Sequence, residues 1–366
     1  MAPFVIITLI LGCALLGGYA KACILDMTDS VSRPITGIES VDEAVNLLLE
    51  FFSQGLRKNH EVKGMELEAL IAFVYLAAQF GGAWYIIALE GLRFGNKGTI
   101  LSWTGTFGIV FQAVTITIIA PIYLTIQLLV SPSIPQQANF LADPADLSFL
   151  PIATIVSYVV PSIGLCLPLV FDISREAKFI AVALWQPFPL YQSALHSISS
   201  LLSGSRQHAS KNKAHVDMRL CRKALNRAYM FITGLTVSVH LLVMGTIFAS
   251  WIGQVQPVSG HHILALTSIT NPPTLALLEP PVSALQSREL VVSFLRWDVY
   301  CTCLSMIIWS GYQLSAVKRA PNVMVTGIRA ILLALIGGPI FPALMFLWER
   351  DDIVINKASP TSRKQK

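Results

Sequence analysis

The sequence predicts an all-α fold, a polytopic membrane helix bundle of about eight (seven to eight) transmembrane helices. Three observations predict it. Hydrophobic residues make up 54% of the 366 residues and charged residues only 13%, against about 25% charged in an ordinary soluble domain. The mean hydropathy is +0.62. Stretches free of Asp, Glu, Lys and Arg run over 1–20, 69–89, 98–142, 147–171, 179–205, 228–278, 299–317 and 330–348. Each is long enough for one crossing, since about 20 residues rising about 1.5 Å apiece span a hydrocarbon core of about 30 Å. A water-soluble globule and a disordered chain are both excluded.

The elements follow in order. Segment 1–20 reads as a retained first helix; the alternative, a signal peptide cut after Ala20-Lys21-Ala22, lacks a basic n-region. Residues 21–68 form an amphipathic insertion, with Val41, Val45, Leu48, Leu49 and Phe52 at helical spacing beside Asp42, Glu43 and Glu50. A helix lying in the interface plane is expected there, with Phe51 and Phe52 dipping into lipid. Residues 69–348 form the transmembrane bundle. Within it, Pro132 and Pro135 end the third helix near residue 130, and Pro257 with Gly260 ends the sixth near residue 254. Trp185-Gln186-Pro187-Phe188-Pro189 interrupts the fifth segment, giving either a kinked span or a re-entrant pair. Arg296 and Asp298 open the seventh, and residues 349–366 form a basic tail expected to be disordered.

The formal charge is +5, from 26 basic and 21 acidic residues. Arg206, Lys211, Lys213, Arg219, Arg222, Lys223 and Arg227 lie in the single stretch 203–227, which should face the cytosol. The excess therefore encodes orientation, and no nucleic-acid partner is expected. The six cysteines are scattered through apolar runs with no zinc-ligand spacing and serve as small packing residues. No Gly-rich phosphate loop, H-E-x-x-H, nucleophile elbow or Asp-rich magnesium motif occurs, so neither a metal nor a cofactor is expected.

Ionisable residues at membrane depth cost about 2.5–3.5 kcal/mol each on insertion scales, so each is a functional candidate. Glu90 closes the second helix and Asp172 the fourth; Asp298 opens the seventh, and His240 lies midway along the sixth. Plain alternatives exist: Glu90 and Asp172 each have an arginine three residues on to pair with, and His240 suits a helix–helix hydrogen bond. With eight spans, Glu90, Asp172 and Asp298 fall on one side of the membrane, where they could share a pocket; with a re-entrant fifth segment Asp298 is alone there. Aromatic residues spread over six helices, Trp84, Trp185 and Trp297 among them, suit either interfacial belts or a cavity walled by ring faces. Ring faces attract a cation by about 0.5–2 kcal/mol each and offer it no nucleophile.

Several short stretches converge on one family. Pro34-Ile35-Thr36-Gly37-Ile38 leading to Asp42 and Phe51-Phe52, Gln79 followed by Trp84, and the Glu90-Gly91-Leu92-Arg93-Phe94-Gly95-Asn96 turn are three of them. Trp185-Gln186-Pro187-Phe188-Pro189-Leu190 and Phe294-Leu295-Arg296-Trp297-Asp298 complete the set. Over roughly residues 34–350 the chain resembles fungal integral-membrane proteins of indole-diterpene and meroterpenoid biosynthetic clusters, some of which are membrane-bound terpene cyclases. The resemblance implies a cyclase that protonates an epoxide or alkene of a prenylated substrate and closes rings through carbocations until a proton is lost. Such an acid must stay protonated near neutral pH, which burial in an apolar pocket favours. On that reading Asp298 is the general acid, Glu90 its partner or a second acid, and Asp172 a third. Trp84, Trp185 and Trp297 stabilise cations. The expected partners are a prenylated, epoxidised substrate, the lipid bilayer and other membrane-bound pathway enzymes, in a multi-pass protein of the endoplasmic reticulum. The competing readings are a non-catalytic scaffold of the same pathway and an exporter of its product.

Overall fold

The computed structural model describes residues 2–25, 37–55, 65–130, 137–202, 218–253, 284–318 and 322–358. Among them the chain is all-helical, with one isolated bridge between Arg93 and Ala142 and no strand. The helices are α1 (Ala2–Leu25), α2 (Glu39–Gly55), α3 (Met65–Gly91), α4 (Thr104–Val114) and α5 (Ile116–Val130). They continue with α6 (Pro144–Val170), which holds a π-helical turn at Ile155–Val159, then α7 (Arg175–Trp185) and α8 (Phe188–Leu202). Last come α9 (Met218–Trp251), α10 (Ala284–Lys318), α11 (Val323–Gly337) and α12 (Phe341–Ala358).

Helix α3 is the central post. Every residue from Gly81 to Gly91 is buried, and α6, α9 and α10 pack around it. Helix α10 also packs on α1, α2, α5 and α12. The outer surface is apolar instead of charged: Leu15, Leu129, Leu242 and Leu335 are each more than two-thirds exposed. Such a surface is consistent with a membrane protein.

Among the described residues four helices are long and apolar enough to cross a membrane, α3, α6, α9 and α10, or five if the bent α11–α12 pair counts as one span. The eight spans read from the charge-free runs are therefore not eight uninterrupted helices, because several runs are broken. The third run divides at Thr115 into α4 and α5. The fifth divides at Gln186-Pro187, as its prolines foretold. The eighth turns by 118° between α11 and α12. At that turn Gly338 adopts φ +94 and returns its N–H to the Ala334 carbonyl at 2.9 Å, and Pro339 cannot continue the helix. The Gln79 side chain of α3 fills the corner and accepts from the Ile340 N–H at 3.3 Å.

Three further expectations are corrected. The seventh helix begins about four turns earlier than its charge-free run, so Arg296 and Asp298 lie inside a 35-residue helix and not at its mouth. The tail is not disordered from residue 349: α12 runs on to Ala358, with Arg350 and Asp351 buried by ion pairing. Phe51 and Phe52 do not dip into lipid, since α2 packs on α7 and α10 and turns both rings inward, where they are 3% and 9% exposed. The stretch Pro34-Ile35-Thr36, the basic residues Arg206, Lys211 and Lys213, and residues 359–366 lie outside the described residues.

Candidate active site

A cavity of about 130 Å³ opens between α2, α3, α4, α6, α7 and α10. The amphipathic helix α2 supplies Leu47, Leu48, Phe51 and Phe52, and α3 supplies Phe73, Leu76, Ala77 and Phe80. Tyr158 comes from the π-helical turn of α6, Trp185 from the last residue of α7, and Phe294, Leu295, Asp298 and Val299 from α10. The broken α4–α5 segment closes the wall with Phe111, Gln112, Ala113, Thr115 and Ile116.

Ring faces dominate the lining. Phe80 stacks on Tyr158 at 6.1 Å and lies 6.1 Å from Trp185; Trp185 is 5.5 Å from Phe52, and Phe51 is 4.8 Å from Phe294. The polar ends of these rings are tied back. The Tyr158 hydroxyl donates to the Ala77 carbonyl at 2.6 Å, and Trp185 Nε1 donates to Ser162 Oγ at 2.9 Å. Gly81 makes the first of these possible, because a Cβ there would sit 2.5 Å from the Tyr158 ring. The rings therefore present carbon to the cavity, a surface that attracts cations and does not trap them.

Asp298 is the ionisable residue in this lining. Thr117 Oγ1, on the first turn of α5, donates to Asp298 Oδ1 at 2.7 Å and lies 3.4 Å from the Trp297 carbonyl. The break at Thr115 makes this contact: Thr115 stands at φ +102, a conformation that β-branched residues rarely adopt. It ends α4 and redirects the chain, so that α5 brings Thr117 to the side of α10.

The pocket expected to be shared by three acids does not form. Glu90 is fully buried at the end of α3, away from the cavity lining, within a four-membered ion network. Its Oε1 accepts from Arg93 Nε at 2.8 Å and Arg350 Nη2 at 2.9 Å. Asp351 accepts from Arg93 at 2.7 Å, Arg350 at 2.9 Å and the Tyr229 hydroxyl at 2.7 Å. Arg93 also donates to the Phe140 carbonyl, and the Arg350 guanidinium lies 4.8 Å from the Phe140 ring. The two acids and two arginines sum to zero charge and join α3, α9 and α12. Asp172 is exposed in the link between α6 and α7.

The tryptophans divide too. Trp185 lines the cavity. Trp84 stands behind the lining, its rings 5.6 Å from Phe111 and 5.4 Å from Phe188, with Nε1 donating to Gln192 Oε1 at 2.6 Å. Trp297 is half-buried and outside the lining. His240 has both ring nitrogens engaged, by the Tyr75 hydroxyl at 3.3 Å and the Leu335 carbonyl at 3.2 Å, and joins helices. No group of three His, Cys, Asp or Glu side chains forms a metal-binding constellation among the described residues.

Sequence reading missed Thr115, Thr117, Gln112 and Phe80. The signal available was Thr115-Ile116-Thr117, two hydroxyls inside an apolar run, where polar side chains act as links between helices.

The CtvD domain family matches residues 15–355. Terpene cyclase ascI of Acremonium egyptiacum is 26% identical over 356 residues, covering 94% of this chain and 86% of that protein. Terpene cyclase ctvD of Aspergillus terreus is 26% identical over 345 residues, with 90% and 89% of the two chains covered. Terpene cyclase atmA of Aspergillus flavus is 24% identical over 328 residues, with 86% and 83% covered. No solved structure matches the chain.

Proposed function

The chain belongs to the CtvD domain family, and from that premise we propose that it is a membrane-bound terpene cyclase whose general acid is Asp298. The observation that carries this reading is a carboxyl set in a largely apolar, ring-walled cavity. The relatives' shared name, terpene cyclase, supports the reaction class. Protonation of an epoxide oxygen by Asp298 breaks one C–O bond, and that oxygen becomes a hydroxyl. The carbon left electron-poor is captured by a neighbouring alkene, which forms a ring C–C bond and passes the positive charge along the prenyl chain. Loss of a carbon-bound proton ends the sequence, so the product is an isomer of the substrate. An alkene start differs only in that the proton goes to carbon.

Trp185, Tyr158, Phe80 and Phe52 surround the travelling charge, and Thr117 orients the acid. Trp84 backs the ring wall. Glu90 fixes the bundle instead of donating a proton, and Asp172 is a solvated link residue. The bilayer dissolves the substrate, and the cavity keeps water from quenching the cations. The test is to feed microsomes containing the full chain an epoxidised prenylated arene of the meroterpenoid or indole-diterpene type. A new compound of equal mass is expected. The exporter reading draws on the three broken segments; it would be favoured if the fed compound came back unconverted.

A further inference from the structure

The wall of the cavity carries few polar atoms, and most are already engaged. The Tyr158 hydroxyl and the Trp185 indole N–H are tied back to α3 and α6. Gln112 Nε2 donates to the Gln186 carbonyl at 3.0 Å. Asp298 is held by Thr117 at 2.7 Å. Thr115 differs from all of these. It is 6% exposed and lines the cavity, and its Oγ1 is buried with no hydrogen-bond partner among the described residues.

A threonine in a membrane helix ordinarily returns its hydroxyl to the carbonyl four residues back. At Thr115 the main-chain N–H reaches that carbonyl, Phe111 O, at 2.8 Å, while the side chain does not bond. The position thus carries two costs at once, an unpaired buried hydroxyl and a φ of +102 on a β-branched residue. Glycine would remove both. A threonine kept in that conformation, two residues before the one that holds the acid, points to a use for its hydroxyl.

We propose that Thr115 is a positioning residue whose hydroxyl donates a hydrogen bond to the substrate oxygen that Asp298 protonates. The inference rests on the cyclase reading above. Thr115 holds that oxygen against the α4–α5 wall, beside the Thr117–Asp298 pair, and the prenyl chain lies along the rings. After ring opening the same hydroxyl serves the newly formed alcohol, so no group has to move during the reaction.

Three full-length variants test it: Thr115→Ser, Thr115→Val and Thr115→Gly. The readout is equilibrium binding to membranes of a farnesyl-arene terminal epoxide and of its non-epoxidised parent, with KM and kcat measured alongside. The wild type and Thr115→Ser are expected to prefer the epoxide by about tenfold, the worth of one buried hydrogen bond. Thr115→Val and Thr115→Gly should bind both compounds alike, with KM for the epoxide raised by about the same factor and kcat changed less. A residue that only shapes the backbone gives another order: Gly, suited to φ +102, would match the wild type, and Val would keep the epoxide preference. Either of those results overturns the proposal. An epoxide preference that depends on the hydroxyl, in a wild type that forms no product, would sustain Thr115 as a ligand contact and count against the cyclase reading alone.

Discussion

Two regions of this bundle set a carboxyl group among packed helices, Glu90 fully buried and Asp298 half-buried, and they surround it in opposite ways. At the end of α3, Glu90 is gripped by two guanidinium groups, and Asp351 repeats the arrangement with help from Tyr229. In the cavity, Asp298 meets a hydroxyl and a wall of rings. The first region pairs each acid with both arginines and ties together helices that lie far apart in sequence, which is how a staple is built. The second lines a ring-walled cavity with an acid, the arrangement on which the proposed proton transfer to a prenyl chain rests. A carboxyl at membrane depth is thus not by itself a catalytic group; its neighbours decide.

Substitutions can break or sharpen this contrast. The largest effect is expected at Asp298→Asn, which should lower cyclised product by at least about 10²-fold while leaving the amount of folded protein in membranes unchanged. Glu90→Gln or Arg350→Met should do the reverse. Removing one partner of a buried ion network costs about 3–5 kcal/mol, so detergent-solubilised protein should lose thermal stability and accumulate poorly, with residual activity proportional to the folded fraction. Thr117→Val should come next, lowering kcat by about tenfold with stability nearly unchanged, because it removes the hydrogen bond that orients the acid. Phe80→Leu removes one ring face and should slow cyclisation by about 2- to 30-fold, the range spanned by about 0.5–2 kcal/mol of cation stabilisation. It should also raise the share of incompletely cyclised products in the mass-spectrometric profile. Asp172→Asn, on an exposed link, should change stability by less than about 0.5 kcal/mol and leave turnover as it was.

Much of the bundle could be read from residues close together in the chain. The break after Trp185 follows from Pro187, whereas Pro132 and Pro135, expected to end the third helix, lie outside the described residues. The centre of the fold, α3, coincides with an uninterrupted apolar run. What could not be read was either unmarked or remote. Thr115 breaks a helix with neither proline nor glycine, so the sequence gives no warning. Arg350 lies 260 residues from the carboxylate it pairs with. Without that pairing, a charged stretch after an apolar helix looks like a loose tail, and Glu90 looks like a free acid. Phe51 and Phe52 fit an interfacial helix equally well facing lipid or facing a cavity, and only the packing of α2 on α10 decides between them. Of the residues singled out for chemistry, Asp298 and Trp185 are brought into one cavity, and Glu90, Asp172 and Trp297 stand elsewhere.

The most direct test of the central claim asks where the substrate sits. A prenylated arene bearing a photoreactive diazirine on its chain would be irradiated in membranes holding the full-length protein, and the labelled residues mapped by peptide mass spectrometry. The account predicts adducts on Phe52, Phe80, Trp185 and Phe294, competed away by the epoxidised substrate. Adducts clustered instead around the Glu90 network, on Phe140, Tyr229 and Trp309, whose ring lies 5.9 Å from the Arg350 guanidinium, would contradict it.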